Sequence, residues 1–181
     1  MAKLMTAEEA VKAYIKDGMT IATNGFVGAV QPEGMMRAIQ KSFLEEGTPR
    51  DLTLVHAAGQ GGGADAEGNV VGQVNHLGEE GLLKKIIAGH YSLAPRIQKL
   101  ALENKIAAYN MPQGCISELF REIAAHRPGL ITHVGLNTSV DPDVEGGMLN
   151  DKAREEGSYV KKVNFNGEDK LFYPSFPIDV A

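Results

Sequence analysis

The stretch Asp17-Gly18-Met19-Thr20-Ile21-Ala22-Thr23-Asn24-Gly25-Phe26-Val27-Gly28-Ala29-Val30-Gln31-Pro32-Glu33 decides how this chain reads. Met19 to Thr23 is apolar and predicts a strand. Asn24 to Gly28 is a glycine-bearing loop, and Pro32-Glu33 opens a helix, whose first turn loses nothing by the missing proline N–H. Such a junction leaves backbone N–H groups unpaired at the loop and at the helix start, where they can hold an anionic or carbonyl oxygen. Glycine at 25 and 28 lets the backbone approach a ligand closely and take φ > 0 where needed.

Working outward, Thr6-Ala7-Glu8-Glu9 is a capping box that starts a first helix, with Ala10, Val11, Tyr14 and Ile15 on one face and Asp17-Gly18 ending it. A second helix over about 32–46 carries Met35, Met36, Ile39, Phe43 and Leu44 at helical spacing and stops at Gly47-Thr48-Pro49. Strands are predicted over 51–57, 85–88, 106–109 and 130–133. Helices are predicted near 79–83 and over 94–104 and 113–125. Short apolar strands alternating with helices indicate βαβ units, with right-handed crossovers placing helices on both faces. From Gly135 the character changes to loop, and residues 159–165 and 170–173 then flank Asn166-Gly167, a hairpin turn pair. The expected fold is α/β, an open and mostly parallel sheet flanked by helices, with a C-terminal β-hairpin. The apolar segment Phe176 to Ala181 stops in mid-pattern, so the chain reads as one domain, 1–181, cut short at its C-terminus.

Composition narrows the partners. The 181 residues are 43% hydrophobic and 23% charged, as in an ordinary globular domain. There is no run of 18 apolar residues and the N-terminus lacks a secretory apolar region, so neither a membrane span nor export is expected. A single cysteine, Cys115, excludes an internal disulfide and fits the cytoplasm. A net charge of −5 without a concentrated basic face argues against nucleic acid and for a small molecule. The 21 glycines cluster at 59–63, at 78 and 81, and at 146–147, as in loops that turn tightly or approach a ligand.

Four segments in order now carry a resemblance: Lys16-Asp17-Gly18 through Pro32; Asn75-His76-Leu77-Gly78-Glu79-Glu80-Gly81; Ala108-Tyr109-Asn110-Met111-Pro112-Gln113-Gly114; and Thr132-His133-Val134-Gly135-Leu136-Asn137-Thr138 through Asp141-Pro142. Phe172-Tyr173-Pro174-Ser175-Phe176-Pro177-Ile178-Asp179-Val180-Ala181 is a fifth match. Together they resemble the N-terminal part of the α half of family I coenzyme A transferases of the acetate/propionate type. The resemblance implies transfer of CoA between a short-chain acyl-CoA and a free carboxylic acid, through a glutamyl-CoA thioester on the enzyme. It implies two halves, with the nucleophilic glutamate on the second, β-type half. No segment here resembles the catalytic glutamate neighbourhood, so this chain is expected to hold no catalytic residue and to be inactive alone. No cofactor is implied beyond coenzyme A thioester as substrate, and an oligomer is expected. The implied substrate-lining residues are Asn24, Gly25, Phe26, Val27 and Gly28, then Pro112, Gln113 and Gly114 at a helix N-terminus, and Asn137. The family loop reads Gly-Gly-Phe, and Asn24 here replaces its first glycine. Val30 stands where a glycine before x-Pro is common, and Ser139 and Met148 replace an aromatic and a lysine.

Other readings are weaker. Gly59-Gln60-Gly61-Gly62-Gly63-Ala64 fits G-x-G-x-x-A, but Asp65 to Asn69 reads as a second turn where a dinucleotide fold needs a helix. The five histidines never fall at i, i+4 on one helix, so no metal site is expected. His76 with Glu79 and Glu80 reads as helix-start surface. Cys115 sits where a helix N-terminus lowers a thiol pKa, but it reads as packing. Glu145 reads as a solvated acid. The alternative function is a non-catalytic acyl-CoA-binding or assembly module of the same fold.

Overall fold

The computed structural model describes residues 4–62 and 72–181. Four strands, β1 (Thr20–Ala22), β2 (Leu52–His56), β3 (Leu83–Ala88) and β4 (Ala107–Asn110), form a parallel sheet in the order of the sequence. Helices α1 (Ala7–Tyr14), α2 (Glu33–Glu46) and α3 (Pro95–Leu102) lie on one face; α4 (Gln113–Ala124) and α5 (Asp151–Glu156) lie on the other. The strand period of two sorts the core accordingly. Ile21, Leu52, Leu54, Ile86 and Ala88 pack toward α1 to α3, whereas Val55, Ile87, Ala107 and Tyr109 pack toward α4 and α5. Continuous burial of β2 fits a central strand covered on both faces.

The capping box forms as read, with Thr6 Oγ1 accepting the Glu9 N–H and Glu9 accepting the Thr6 N–H. That helix ends at Tyr14, before Asp17-Gly18, because Ile15 turns extended and enters the core.

Two expectations change. The strand at 130–133 forms as β5 (Gly129–Thr132) but leaves the parallel sheet. It pairs antiparallel with β7 (Glu168–Pro174), which pairs in turn with β6 (Lys161–Phe165) across Asn166-Gly167. Both turn residues take positive φ (53° and 85°), as the hairpin requires. The place beside β4 is taken instead by residues 147–149: Asn110 donates to Gly147 O (2.8 Å) and Leu149 to Ala108 O (2.9 Å). The helix expected at 79–83 is absent. A 3₁₀ turn over Gln73–Leu77 precedes a tight turn, and Leu82 and Leu83 are drawn into the core as β3 begins. Helix α5 was not legible, although Asn150 caps it. The Gly63 to Asn69 part of the glycine-rich reading lies outside the described residues. Val180 forms a single parallel bridge with Ile21, on the free edge of β1.

Asn150 ties α3, β4 and α5 together. Its Nδ2 donates to Ala101 O (2.8 Å) and Ile106 O (2.7 Å), and its Oδ1 accepts from Ala108 N (3.2 Å) and Ala153 N (3.1 Å). The side chain is buried, so truncation takes the partner from Ile106 O, Ala108 N and Ala153 N, whereas Ala101 O keeps the Asn104 N–H. Asn150→Ala should therefore cost about 3 kcal/mol of unfolding free energy. A urea titration that shows a loss under about 1 kcal/mol would mean that water replaces the amide at no net cost.

Candidate active site at the carboxyl ends of the parallel strands

Because all four strands run the same way, the segments that leave them open at one end of the sheet, where ligands bind in open α/β folds. They are 23–28 after β1, 57–60 after β2, 89–90 after β3 and 111–113 after β4. The first is tied to the second. Val27 donates to Gly59 O (2.9 Å), Thr23 Oγ1 to Gln60 Oε1 (2.8 Å), and Gln60 Nε2 to Thr23 O (3.1 Å). The His90 ring packs on Gly59, and Gln113 packs on Gly89 so closely that a Cβ there would collide with Ala57 O and the Gln113 side chain. Asn110 Nδ2 donates to Ala88 O and Gly89 O, fixing the β3 exit.

The 24–30 loop is strained. Val27 and Val30 have φ of 52° and 56°, and β-branched residues rarely hold that conformation. Each costs on the order of 1–3 kcal/mol, which the surrounding contacts must offset. Val30 takes the positive φ at the position where the resemblance expects glycine; Asn24 does not. Gly25 has φ 123°, and a Cβ there would press on Gln31 Cγ at 2.5 Å and Ala29 O at 3.0 Å. Phe26, Val27 and Val30 are exposed, so the loop shows apolar side chains to solvent. The N–H groups of Asn24, Gly25 and Gly28 have no hydrogen-bond partner among the described residues. Nor is the N-terminus of α4 capped by any side chain; Gln113 and Gly114 stand exposed in its first turn. Two sets of N–H donors therefore open at the same end of the sheet.

Asn137 belongs to a segment joined to the end of β4, where Gly147 donates to Ser139 O and Asn110 to Gly147 O (2.8 Å each). It is exposed at φ 60° in the turn after β5, and its N–H is held by the buried carboxylate of Asp141 (2.9 Å). Hydrogen bonds from the Asn137 and Asp143 amides, with Lys162 nearby, hold Asp141 below the usual carboxylate range. Among the described residues no hydrogen bond joins Asn137 to 24–28 or 112–114. Cys115 is buried, and burial pushes its thiol up, against the helix-terminus effect. Glu145 is exposed, as read.

Two features escaped sequence reasoning. His76 is not surface. It is 13% exposed, with Nε2 2.9 Å from Glu33 Oε1 and Nδ1 2.6 Å from Gln40 Oε1. Partial burial raises Glu33, but bonds from His76 and the Gln73 amide outweigh it and leave the carboxyl below its usual value. His56, at the end of β2, is fully buried; its Nδ1 lies 2.7 Å from Ala58 O, so Nδ1–H donates there and Nε2 has no partner among the described residues. Burial lowers its pKa to about 4, offset in part by the Ala58 bond and reinforced by His90.

An apolar crevice of about 630 Å³ runs along the edge of β1. Ile21, Met35, Met36, Phe120, Ile178 and Val180 line it, and it reaches Thr23, Asn24 and Pro32. Among the described residues there is no group of three or more His, Cys, Asp or Glu placed to hold a metal, and no helix is long and apolar enough to cross a membrane.

The family model for coenzyme A transferase matches residues 4–181. The chain belongs to the coenzyme A transferase family. The caffeate CoA-transferase of Acetobacterium woodii is 42% identical over 181 residues, covering 100% of this chain and 33% of that protein. The acyl-CoA transferase YdiF of Escherichia coli O157:H7, solved as a thioester complex with CoA, superposes with a TM-score of 0.88 at 36% identity, over 97% of this chain and 33% of that one. The alpha subunit of the acetate CoA-transferase of Escherichia coli K12 is 31% identical over 139 residues, 77% of this chain and 57% of that subunit. This coenzyme A transferase chain thus spans about a third of the length of the first two relatives.

The buried His56 gives the site a pH signature. Neutral His56 is favoured in the folded state, so its contribution is complete above about pH 6.5 and is lost as pH falls toward 4. Between pH 7 and pH 5 the chain should lose about 2 kcal/mol more stability than a His56→Leu variant. Equal losses in urea titrations at the two pH values would show that His56 titrates normally.

Proposed function

We propose that this chain is the α-type half of an acyl-CoA:carboxylate CoA-transferase. It would move CoA between a short-chain acyl-CoA and a free acid such as acetate or propionate. The glutamate that carries the glutamyl-CoA thioester would come from a second, β-type half. The observation that carries this reading is the strained loop Asn24 to Gly28. Its N–H groups at 24, 25 and 28, unpaired among the described residues, lie at the carboxyl end of the sheet, in a chain of the coenzyme A transferase family.

The chemistry fits a site divided in this way. Attack of a carboxylate on a thioester carbonyl makes a tetrahedral oxyanion, which needs donors fixed in place before the charge develops. Donors held by a strained loop need no reorganisation when the charge appears. Asn24, Gly25 and Gly28 would face the thioester oxygen, Phe26 and Val27 would shield it from water, and the first turn of α4 at Pro112, Gln113 and Gly114 would hold a second anionic group. Asn137, which makes no hydrogen bond to this cluster among the described residues, would contact another part of CoA. The apolar crevice beside β1 supports association with further polypeptide, and one relative is itself named an alpha subunit. We therefore favour the enzyme half over a self-sufficient binding module, and a soluble cytoplasmic enzyme over a membrane or nucleic-acid partner.

The test is exchange of label between acetyl-CoA and propionate, with the chain alone and mixed with a matching second-half polypeptide. Transfer should appear only in the mixture. Gly25→Val should then lower it by roughly a hundredfold while the melting temperature stays within a few degrees, because the added Cβ meets only Gln31 and the loop backbone. Transfer by the chain alone, or full activity of Gly25→Val in the mixture, would overturn the reading.

A further inference from the structure

A continuous set of polar contacts runs from the strained loop into the body of the fold. Gln31 Nε2 donates to Val27 O inside the loop and to Gln73 Oε1 (3.1 Å) on the 3₁₀ turn. The Gln73 N–H donates to Glu33 Oε2, and Glu33 Oε1 takes both His76 Nε2 (2.9 Å) and Arg37 Nε (3.3 Å). His76 Nδ1 then meets Gln40 Oε1 (2.6 Å) on α2, whose amide nitrogen is held by Glu79 (2.7 Å), itself paired with Arg96 (3.1 Å) on α3. The Glu79 bond orients the Gln40 amide so that both His76 nitrogens face acceptors.

We propose that His76 and Glu33 are positioning residues that act through Gln73 and Gln31 to hold the 24–31 loop in its strained, donor-presenting form. Three observations converge on this role. Gln31 is the only described side chain that grips the loop from within its own span, and its second partner is Gln73. Gln73 itself has φ 57°, so the 3₁₀ turn is strained where it meets the loop. His76 is mostly enclosed and pairs with a carboxylate kept ionised by its partners, so the pair is a fixed anchor and not a loose surface contact. The positive φ of Val27 and Val30 needs contacts to offset its cost, and this anchor adds to the Val27–Gly59 and Phe26–Ala29 backbone bonds.

The proposal rests on the loop facing substrate, but its test has an arm that does not. Amide hydrogen exchange is measured on the chain and on His76→Ala, Glu33→Ala, Gln73→Met and the surface control Arg154→Ala. The first three should exchange roughly tenfold faster across 24–31, with β2 to β4 unchanged, and Arg154→Ala should match the parent. Should the first two fail to fold, Gln73→Met decides alone, since it severs the link and leaves the Glu33–His76 pair. In the assembled enzyme the same variants should lose roughly ten- to hundredfold in kcat, with KM for acyl-CoA changed by less than about twofold. Unchanged exchange across 24–31, equal acceleration through β2 to β4, or a loss confined to KM would each overturn the positioning role. Faster loop exchange together with an inactive parent assembly would uphold the positioning and overturn the functional reading instead.

Discussion

Parallel alignment is the constraint on which the rest of the structure depends. Four consecutive strands run one way, so each must return by a crossover, and every chain exit from a strand falls at the same end. The loop after β1, the glycine-rich turn after β2, His90 after β3 and the first turn of α4 are neighbours for that reason alone. Hydrogen bonds and close packing then weld the four exits together: Val27 to Gly59, Thr23 to Gln60, His90 on Gly59, Gln113 on Gly89. A site made from the ends of several strands gains precision from the sheet beneath it, while its loops stay free to carry strain.

Strain and burial tell the same story at different depths. At the surface, Val27 and Val30 hold a backbone conformation that isolated valines avoid. One layer down, His56 is kept neutral by burial and Glu33 is kept ionised by His76 and Gln73, two opposite solutions a few residues from the same loop. Perturbed groups of this kind collect where a fold serves chemistry as well as stability. By contrast, Asn150 bonds four backbone groups and Asp141 two, as structural polar residues do.

Much of this was legible in the sequence, for reasons that can be stated residue by residue. The Thr6–Glu9 capping box, the Gly47 stop, the strand at 52–56 and the Asn166-Gly167 turn are local signals, and local physics decided them. The destination of β5 was not legible. Gly129 to Thr132 looks like any short apolar strand, and only the occupation of the β4 edge by residues 147–149 sends it to the second sheet. His76 was misread because its partners lie 36 and 43 positions upstream, beyond any local pattern. A clue was present, since His76 lies in a segment that matches the family while Gln31 and Glu33 flank the proline of another. The loop itself was legible through Gly25 and Gly28. Its strain at Val27 was not, because valine gives no hint of positive φ; at Val30 the hint was the glycine that the resemblance expects there.

The central claim is that the carboxyl end of the parallel sheet receives the thioester. The most direct measurement is amide hydrogen exchange of the chain assembled with its second half, with and without acyl-CoA. The account predicts protection concentrated at 24–28, at 57–62 and at 112–115, with the crevice walls at 35–39 and 120–124 unchanged by ligand. Protection confined to the crevice-lining residues 35–39 and 120–124, with the loop exchanging as before, would contradict it.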